Sequence, residues 1–547
     1  MRKLSSLFFI IALTSCLQPV PVEEVPVAKD ETSSATDNNS SDSTEEESSV
    51  NRDIDGGNDP LLVYQWHLDN YGQRGGTSGE DLNVMPLFSS GKKGSGVVVA
   101  VVDDGLEAEH NDLWKNFNSD LSYNYINFSK DPTPASAQDY GHGTACAGII
   151  AARDSNDEGG RGIAPRATLV GYNLLAKYSS INTYDAMRRN RSVVDVSNNS
   201  WGPPDGYGDL VEAEALWMAG LEDGLRQGRG GKGTVYIFAA GNGGEIYDLS
   251  NYDGYASYPG IIAVSAIGDD GRYADYSEMG SNIWVAAPSE GQSETAITTT
   301  DLSGGARGYN KSSLSNLSDR DYTTTFNGTS AAAPMVTGVV ALMLEENENL
   351  SYRDVKAILA KTARKNDPTN ANWTTNAAGL NINYNYGFGA VDATAAVNAA
   401  SSWTNLPAQV IERWPLAGEM ASGETIDDAG TEVTSDIVIS SSGISEIEFV
   451  QVEVNITHND WGNLTMYLKR SGSSTTEAVL SLAHPCFNSS FSVTTCTRSN
   501  NTYTFGVARF MDEDPNGTWT LSVVDGDSTK DGRSGVLDSW RLKVYGH

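Results

Sequence analysis

Positively charged residues are scarce in this sequence. Its 547 residues include 37 Lys and Arg against 71 Asp and Glu, which gives a formal net charge of −34. A surface this negative repels nucleic acids and anionic lipid headgroups, so both are unfavourable partners. The excess of acid fits either simple solubility or cationic partners such as basic peptides and calcium. Composition alone leaves these interpretations open.

Long apolar runs are missing as well. Beyond the first residues, nothing in the sequence is long and apolar enough for a transmembrane helix, and no internal repeat is evident. Hydrophobic residues make up 39% of the chain, which is enough for real cores. The length predicts about two to four folded units. A short or wholly disordered protein is therefore excluded.

The amino-terminal residues predict export. A basic start at 1–3 precedes the apolar run 4–13, which is too short to span a bilayer and is typical of a cleaved signal peptide. The end of the run resembles a bacterial lipobox, which implies that Cys16 is the acylated first residue of the mature protein. The alternative is an ordinary signal peptide with an incidental cysteine. By the sorting rule of Gram-negative lipoproteins, Leu17 implies the outer membrane, with its periplasmic and surface faces both open.

Three regions follow the predicted signal peptide at 1–16. Residues 17–58 are rich in Ser, Thr and Asn and hold 11 acids against Lys29 and Arg52, which predicts a disordered acidic tether. Residues 59–402 alternate strand and helix patterns and predict an α/β domain with a mainly parallel sheet. Residues 403–547 alternate apolar and polar side chains with period two and predict an antiparallel β-sandwich.

Unbroken apolar runs carry the α/β prediction. Residues 97–102 are an unbroken run of small and β-branched apolar residues, as expected of a parallel strand buried on both faces, and residues 235–240 and 261–266 repeat the pattern. Residues 331–345 are apolar nearly all round and predict a central helix.

Polar residues stand where two of these strands end, at Asp103-Asp104 and at 241–244. Ligands of open α/β sheets bind beyond the carboxyl ends of the strands. A catalytic serine there needs a base, and the base needs an orienting acid. His142 lies in Gly-His-Gly-Thr-Ala-Cys, and Ser330 lies in Gly-Thr-Ser-Ala-Ala-Ala-Pro at the amino end of the central helix, where free N–H groups favour negative charge. Taken singly, each residue also fits an ordinary turn, core or capping position.

Together, these motifs and their order of Asp, His and Ser along the chain resemble the subtilase family at all three catalytic positions. The resemblance implies a subtilisin-like fold in which Ser330 is the nucleophile and His142 the general base and then acid. Asp103 would fix the tautomer of the imidazole. Asn242 would donate its side-chain amide to the oxyanion, beside the backbone N–H of Ser330.

Further segments resemble the kexin and furin branch of that family. They are the doubled Asp103-Asp104, Cys146, residues 199–203 and residues 241–244. The stretch 512–517 is similar to a segment of the jelly-roll-like sandwich, called the P-domain, that follows the catalytic domain in this branch. The resemblance covers about residues 59 to 546 and implies cleavage after basic residues.

Carboxylates must then pair with the Arg or Lys side chain of a substrate. The resemblance assigns Asp205 and Asp253 to the pocket for the first basic residue, and Asp104 and Asp139 to the second. The substrate backbone would pair with an edge segment formed by Ser200, Trp201 and Gly202. The alternative is that the four acids are simply solvated. Pro204 stands where the branch usually has an acid next to Asp205, and Arg188 stands where it has an acid for more distant basic residues, so single or paired basic sites are expected rather than long polybasic ones.

The same resemblance implies calcium, whose hard oxygen ligands neutralise clustered acids. One site would use the side chains of Asp59, Asp112 and Asn156 with the backbone oxygens of Arg153, Glu158 and Gly160. A second, beside the specificity pocket, would use Asp205, Asp248 and Glu278. A third site of the family, near residues 124–133, is poorly matched and is not predicted.

The remaining cysteines receive separate predictions. Cys486 and Cys496 would close a short disulfide loop in the sandwich in an oxidising compartment, and Cys146 would pack as a free buried thiol.

The sequence thus predicts a calcium-dependent, membrane-tethered serine endopeptidase that cleaves after basic residues. Two alternatives are a degradative subtilase of broad specificity and an inactive lipoprotein that binds a partner through its sandwich. Subtilases usually fold with a propeptide, yet only 42 residues separate Cys16 from Asp59. We therefore expect maturation to need a separate chaperone or the sandwich acting in cis.

Overall fold

The computed structural model describes residues 58–135, 141–311, 316–416, 418, 420–428, 430–471, 475–526 and 532–547. Two predicted site residues, Cys16 and Asp139, lie outside these residues. Within the described part of the chain, no helix is long and apolar enough to cross a membrane.

Helices and parallel strands alternate along the first half of the chain. The helices are α1 (Met85–Ser89), α2 (His142–Ala151), α3 (Ser180–Arg188), α4 (Ala215–Gln227), α5 (Thr329–Glu346), α6 (Tyr352–Thr362) and α7 (Ala393–Ser401). The central strands are β1 (Val98–Val102), β2 (Thr168–Tyr172), β3 (Val196–Asn199), β4 (Val235–Ala239), β5 (Ile261–Ile267) and β6 (Val285–Pro288). They form one parallel sheet in the order β2-β1-β3-β4-β5-β6.

The sheet lies between helical layers. Strands β3, β4, β5 and β6 are buried along their whole length, and β1 and β2 are buried after their first residue, because helices cover both faces. Helix α5 packs against the sheet and against α2, which explains why its sequence is apolar on almost every side. Its Pro334 lies in the first turns and does not interrupt the helix. Two short antiparallel pairs, β7 (Ile297–Thr300) with β8 (Tyr322–Phe326) and β9 (Thr374–Thr375) with β10 (Asn381–Ile382), complete this half.

The second half is an antiparallel sandwich. Its strands are β11 (Val410–Trp414), β12 (Met420–Ile426), β13 (Val433–Ile439), β14 (Ile447–Thr457), β15 (Leu464–Ser471), β16 (Thr475–Ser481), β17 (Cys486–Phe487), β18 (Val493–Thr494), β19 (Thr502–Val507), β20 (Gly517–Asp525) and β21 (Gly535–Gly546). One sheet has the order β11-β21-β14-β19, with β12 also on β21, and the other has the order β13-β20-β15-β16. Strands β17 and β18 form a separate hairpin.

Side chains from both sheets form the core of the sandwich. Alternate residues of β14 and β20, such as Val452, Val454 and Leu521, point inward and pack with Trp519 and Trp540. The predicted period of two is therefore confirmed in these strands. The α/β domain with its parallel sheet and the antiparallel sandwich after it are both confirmed as predicted.

The two halves contact each other extensively. The guanidinium group of Arg353 on α6 forms an ion pair with Glu448 of β14 and donates to the carbonyl oxygen of Pro407 at 2.7 Å. Farther along, the Asn251 amide donates to the Gly506 carbonyl oxygen at 2.9 Å. Helix α7 ends at Ser401 and the first sandwich strand begins at Val410; the domain bounds 59–402 and 403–547 stay a prediction.

Candidate active site

Strand β1 leads directly to a buried pair of acidic residues. The Asp103 carboxylate oxygens lie 2.9 and 3.0 Å from Nδ1 of His142, the first residue of α2. Asp104 accepts hydrogen bonds from the backbone N–H groups of His142 (3.3 Å) and Gly143 (2.9 Å), which fixes the start of α2. A Cβ atom at Gly143 would overlap the carbonyl oxygen of Gly105, so only glycine permits this close approach. The chain thereby holds an acid and an imidazole in hydrogen-bond contact.

Helix α5 begins at Thr329, directly after Gly328, whose φ of 78° turns the chain into the helix. Ser330 is its second residue. The Ser330 hydroxyl donates to the carbonyl oxygen of Ser200 at 3.3 Å, and the Ser200 hydroxyl donates to the carbonyl oxygen of Ser330 at 3.0 Å. For its predicted role as nucleophile, the Ser330 hydroxyl would have to turn from Ser200 toward the imidazole.

The buried thiol of Cys146 links the two helices that carry His142 and Ser330. Its Sγ lies 4.0 Å from Nδ1 of His142 and 3.6 Å from the carbonyl oxygen of Ser330. The prediction of a free buried thiol is consistent with this position, where Cys146 forms no disulfide. Asp103, His142 and Ser330 thus converge at the carboxyl end of the sheet, where β1, α2 and α5 meet.

Asn242 follows β4 and faces the start of α5. Its Oδ1 accepts hydrogen bonds from the backbone N–H of Thr329 at 2.8 Å and from the Thr329 hydroxyl at 2.9 Å. The amide nitrogen is left as the donor end, with Asp205 beside it. Sequence reasoning did not identify Thr329 as the residue that orients this amide, although it stands next to Ser330 in the serine motif.

Charge strongly perturbs the acid–imidazole pair. Burial disfavours the imidazolium, but attraction to the Asp103 carboxylate outweighs it and raises the pKa of His142 well above 6.5. Burial, reinforced by the Asp103 charge, raises the pKa of Asp104 to about 7. Such perturbed groups at the end of a sheet are typical of an active site.

A second cluster of acids lies next to Asn242. Burial raises the pKa of Asp248 and of Asp253 to about 7, and it raises the pKa values of Asp205 and Glu278 as well. The negative charges of the other three acids raise the pKa of Glu278 further. Within the described residues, no Lys or Arg forms an ion pair with any of the four.

The cluster adjoins the predicted edge segment. A Cβ atom at Gly202 would lie 3.1 Å from Oδ2 of Asp253, so this carboxylate lies directly behind the Gly202 backbone. The indole of Trp201 is buried and donates to the carbonyl oxygen of Val102 at 2.9 Å, which leaves only its backbone for a ligand. Asp205, Asp253 and the edge segment are therefore brought together, whereas Asp104 lies at the start of α2, beside Asp103 and His142.

The predicted calcium residues at the opposite end of α2 also come together. Asp59 accepts hydrogen bonds from the backbone N–H groups of Ser155 (3.0 Å) and Asn156 (3.2 Å), and the Asn156 amide donates to Oδ1 of Asp112 at 2.8 Å. Burial and the nearby charges of Asp59 and Glu158 raise the pKa of Asp112 to about 8.

A buried oxygen atom without a hydrogen-bond partner provides a test of whether this site suits a cation. Oδ2 of Asp112 is buried and accepts no hydrogen bond from the described residues. The backbone of Arg153 donates to the Asp112 carbonyl oxygen at 2.8 Å, which holds the 153–160 loop against the two acids. The Asn156 amide would have to turn to present its oxygen to an ion. With that turn, the oxygen-rich donor set fits calcium.

Cys486 and Cys496 form a disulfide bond, as the sequence predicts. It closes the hairpin of β17 and β18, which contacts the catalytic half. The backbone N–H of Phe487 donates to the carbonyl oxygen of Tyr207 at 2.9 Å, and the rings of Tyr207 and Phe491 stack at 5.6 Å. Sequence reasoning did not predict this contact two residues beyond Asp205.

Comparisons with known proteins agree with this arrangement. A family model described as the subtilase family matches residues 94–389, and one described as the proprotein convertase P-domain matches residues 447–544. Neuroendocrine convertase 2 of Rattus norvegicus is 32% identical over 503 residues, which cover 89% of this chain and 74% of that protein. Furin-like protease 2 of Drosophila melanogaster is 30% identical over 498 residues, which cover 89% of this chain and 28% of that protein.

Solved structures show the same fold. The crystal structure of a serine protease of Aeromonas sobria has a TM-score of 0.79 and 30% identity, with 90% of this chain and 96% of that chain covered. The same protease has also been solved in complex with a chaperone (ORF2), with a TM-score of 0.78, 30% identity and coverage of 90% and 95%.

Proposed function

The chain belongs to the subtilase family of serine endopeptidases, and we propose that it is a calcium-dependent member that cleaves peptide bonds on the carboxyl side of basic residues. The observation that carries the proposal is the cluster of carboxylates beside Asn242, in which Asp248 and Glu278 are buried and Asp205 and Asp253 half-buried. These acids have no cationic partner among the described residues, and a substrate side chain together with calcium would neutralise them.

In the proposed mechanism, Ser330 attacks the scissile carbonyl carbon while His142 accepts the hydroxyl proton at Nε2. Asp103 accepts the hydrogen bond from Nδ1–H, so it fixes the tautomer and stabilises the imidazolium. The Asn242 amide and the Ser330 backbone N–H stabilise the oxyanion of the tetrahedral intermediate. His142 then returns the proton to the leaving amine, and water hydrolyses the acyl-enzyme by the same route.

Two carboxylates provide the proposed specificity for the first basic residue. Asp253 lies behind Gly202, and burial together with the nearby negative charge of Asp205 raises its pKa. The substrate backbone pairs with the edge segment 200–202, and its Arg or Lys side chain enters between the two acids. Asp104 is the candidate for a second basic residue, and the proposed role of Asp139 falls outside the described residues.

Two groups of residues would hold calcium. Asp59, Asp112 and Asn156, with the backbone oxygens of Arg153, Glu158 and Gly160, would form one site, and Asp205, Asp248 and Glu278 the other. Bound calcium neutralises clustered carboxylates and rigidifies the loops that carry them. Because Asp205 belongs to both the second calcium group and the specificity pocket, the ion would also fix one wall of that pocket.

Export, anchoring and assisted folding are further parts of the proposal. The signal peptide at 1–16 would direct export, and a lipid on Cys16 would anchor the enzyme in the outer membrane of a Gram-negative bacterium. The acidic segment 17–58 would link this anchor to the catalytic domain. The Aeromonas protease was crystallised with a chaperone, which supports a separate folding chaperone for this chain.

A peptide library tests the proposed specificity. Wild type, with calcium, is expected to cleave after Arg and Lys, and with EDTA it is expected to lose most of this activity. The Ser330→Ala variant controls for contaminating proteases. Cleavage after all residue types would favour the degradative alternative, and unchanged cleavage in EDTA would contradict the calcium requirement.

A further inference from the structure

The two acid-bearing walls of the specificity pocket lie on short irregular segments rather than on the central sheet. Asp205, Gly206 and Tyr207 form consecutive bends just before Gly208, and Asp253 follows a single helical turn at Ser250–Tyr252. They meet in one backbone bridge, in which Val211 pairs with Asp253. Neither segment belongs to a regular strand or a long helix, so contacts from outside help to hold the two carboxylates at a fixed spacing.

His484 of the sandwich lies between these two segments. Its Nε2 lies 2.8 Å from the carbonyl oxygen of Gly208, and its Nδ1 lies 3.0 Å from the hydroxyl oxygen of Tyr252 and 2.7 Å from the carbonyl oxygen of Leu482 in the sandwich. The imidazole also stacks on the Tyr252 ring, with the centroids 4.5 Å apart. One side chain of the sandwich therefore contacts the segment after Asp205 and the residue before Asp253 at once.

The sandwich holds this imidazole firmly. The backbone N–H of His484 donates to the carbonyl oxygen of Gly462 at 2.7 Å, and the disulfide-closed hairpin begins two residues later. His484 is only 7% exposed. A Cβ atom at Gly208 would lie 2.7 Å from the carbonyl oxygen of Pro485, so these two segments of the chain approach as closely as glycine allows.

We propose that His484 is a positioning residue for substrate specificity, which sets the spacing of Asp205 and Asp253 by joining Gly208 to Tyr252. The inference rests on the proposed function, because it assigns these two acids to the pocket for a basic residue. A cationic side chain gains most when both carboxylates are held at bonding distance in advance. The binding of a neutral side chain does not depend on the spacing of the two carboxylates.

The test compares kcat/KM for two fluorogenic peptides that differ only in Arg or Leu before the scissile bond. In His484→Phe, which keeps a ring for stacking but loses the polar contacts of both ring nitrogens, we expect the Arg-to-Leu ratio to fall about ten-fold or more. His484→Gln, whose amide can donate to Gly208, is expected to restore part of the ratio. Tyr252→Phe removes the hydroxyl contact from the other side and should also lower the ratio.

His458→Phe is the matched control. This histidine is also buried in the sandwich, but it contacts Asp460 and Asp525 and neither pocket segment. Both His→Phe variants are expected to lower the melting temperature, and His458→Phe should keep the wild-type ratio. Active-site titration with a fluorophosphonate corrects every rate for folded enzyme.

The outcomes separate the two proposals. A wild-type ratio near one would overturn the proposed specificity and with it the role of His484. A high wild-type ratio that stays within two-fold in His484→Phe would overturn the positioning role alone. If His484→Phe does not fold, Tyr252→Phe gives the test, and a wild-type ratio in that variant would overturn the role.

Discussion

Replacing Asn242 by Ala is expected to slow acylation without weakening substrate binding. The amide nitrogen is the proposed donor to the oxyanion, which forms only as the reaction proceeds, so the loss should appear in kcat and leave KM nearly unchanged. One such donor is worth about 10²- to 10³-fold in kcat, or ~2.7–4 kcal/mol.

The same substitution also removes two hydrogen bonds to Thr329 and the contact of the amide with Asp205, and these structural effects must be separated from catalysis. Oδ1 of Asn242 accepts from the backbone and hydroxyl of Thr329 at 2.8 and 2.9 Å, and the loss of both lowers the unfolding free energy by about 1–3 kcal/mol. Thr329→Val removes one of these bonds and keeps Asn242, so it should reduce kcat only a few-fold.

The assay is burst kinetics on an activated ester or amide substrate, with active sites titrated by a fluorophosphonate. The reasoning is refuted if Asn242→Ala keeps kcat within ten-fold of wild type at equal titrated enzyme. It is also refuted if the loss lies entirely in KM, because that would assign Asn242 to ground-state binding.

Three further predictions concern charge and the disulfide. Attraction to its carboxylate partner favours the imidazolium of His142, so the neutral base is lost at a higher pH than in an ordinary histidine. We therefore expect kcat/KM to fall as the pH drops through a value above 6.5. A fall of kcat/KM only below pH 6.5 would contradict the raised pKa. Asp253→Asn should lower kcat/KM for Arg substrates about 30-fold or more, whereas the exposed Asp436→Asn should change nothing; equal rates in both variants would remove Asp253 from the pocket. Replacing Cys486 and Cys496 by Ser should lower the unfolding free energy by about 2–3 kcal/mol, which denaturant titration measures, and unchanged stability would contradict a stabilising bridge.

Local pattern was sufficient to predict the elements that carry the catalytic residues. The apolar run at 97–102 predicted β1, which spans Val98–Val102, and the run at 331–345 predicted most of α5, which spans Thr329–Glu346. The two extra residues at the start of α5 are polar and escaped an apolar pattern. The turn at Gly328 sets this start, because its positive φ directs the chain into the helix.

Long-range contacts could not be predicted in the same way. His484 lies 276 positions from Gly208, and nothing in the residues around either one indicates that they meet. The contact depends on how the hairpin of the sandwich docks beside the pocket, which is a property of tertiary packing rather than of local periodicity. The cluster of acids could not be predicted from local pattern either, since its members come from separate segments. Their charges affect one another only because the fold brings them close together.

The central claim is that this enzyme recognises a basic residue before the scissile bond, and one ratio tests it most directly. In the presence of calcium, kcat/KM for a peptide with Arg at that position is divided by kcat/KM for the matched peptide with Leu. We predict a ratio of about 10² or more, from the pairing of one buried cation with two carboxylates. A ratio near one, measured on fully titrated enzyme, would contradict the claim.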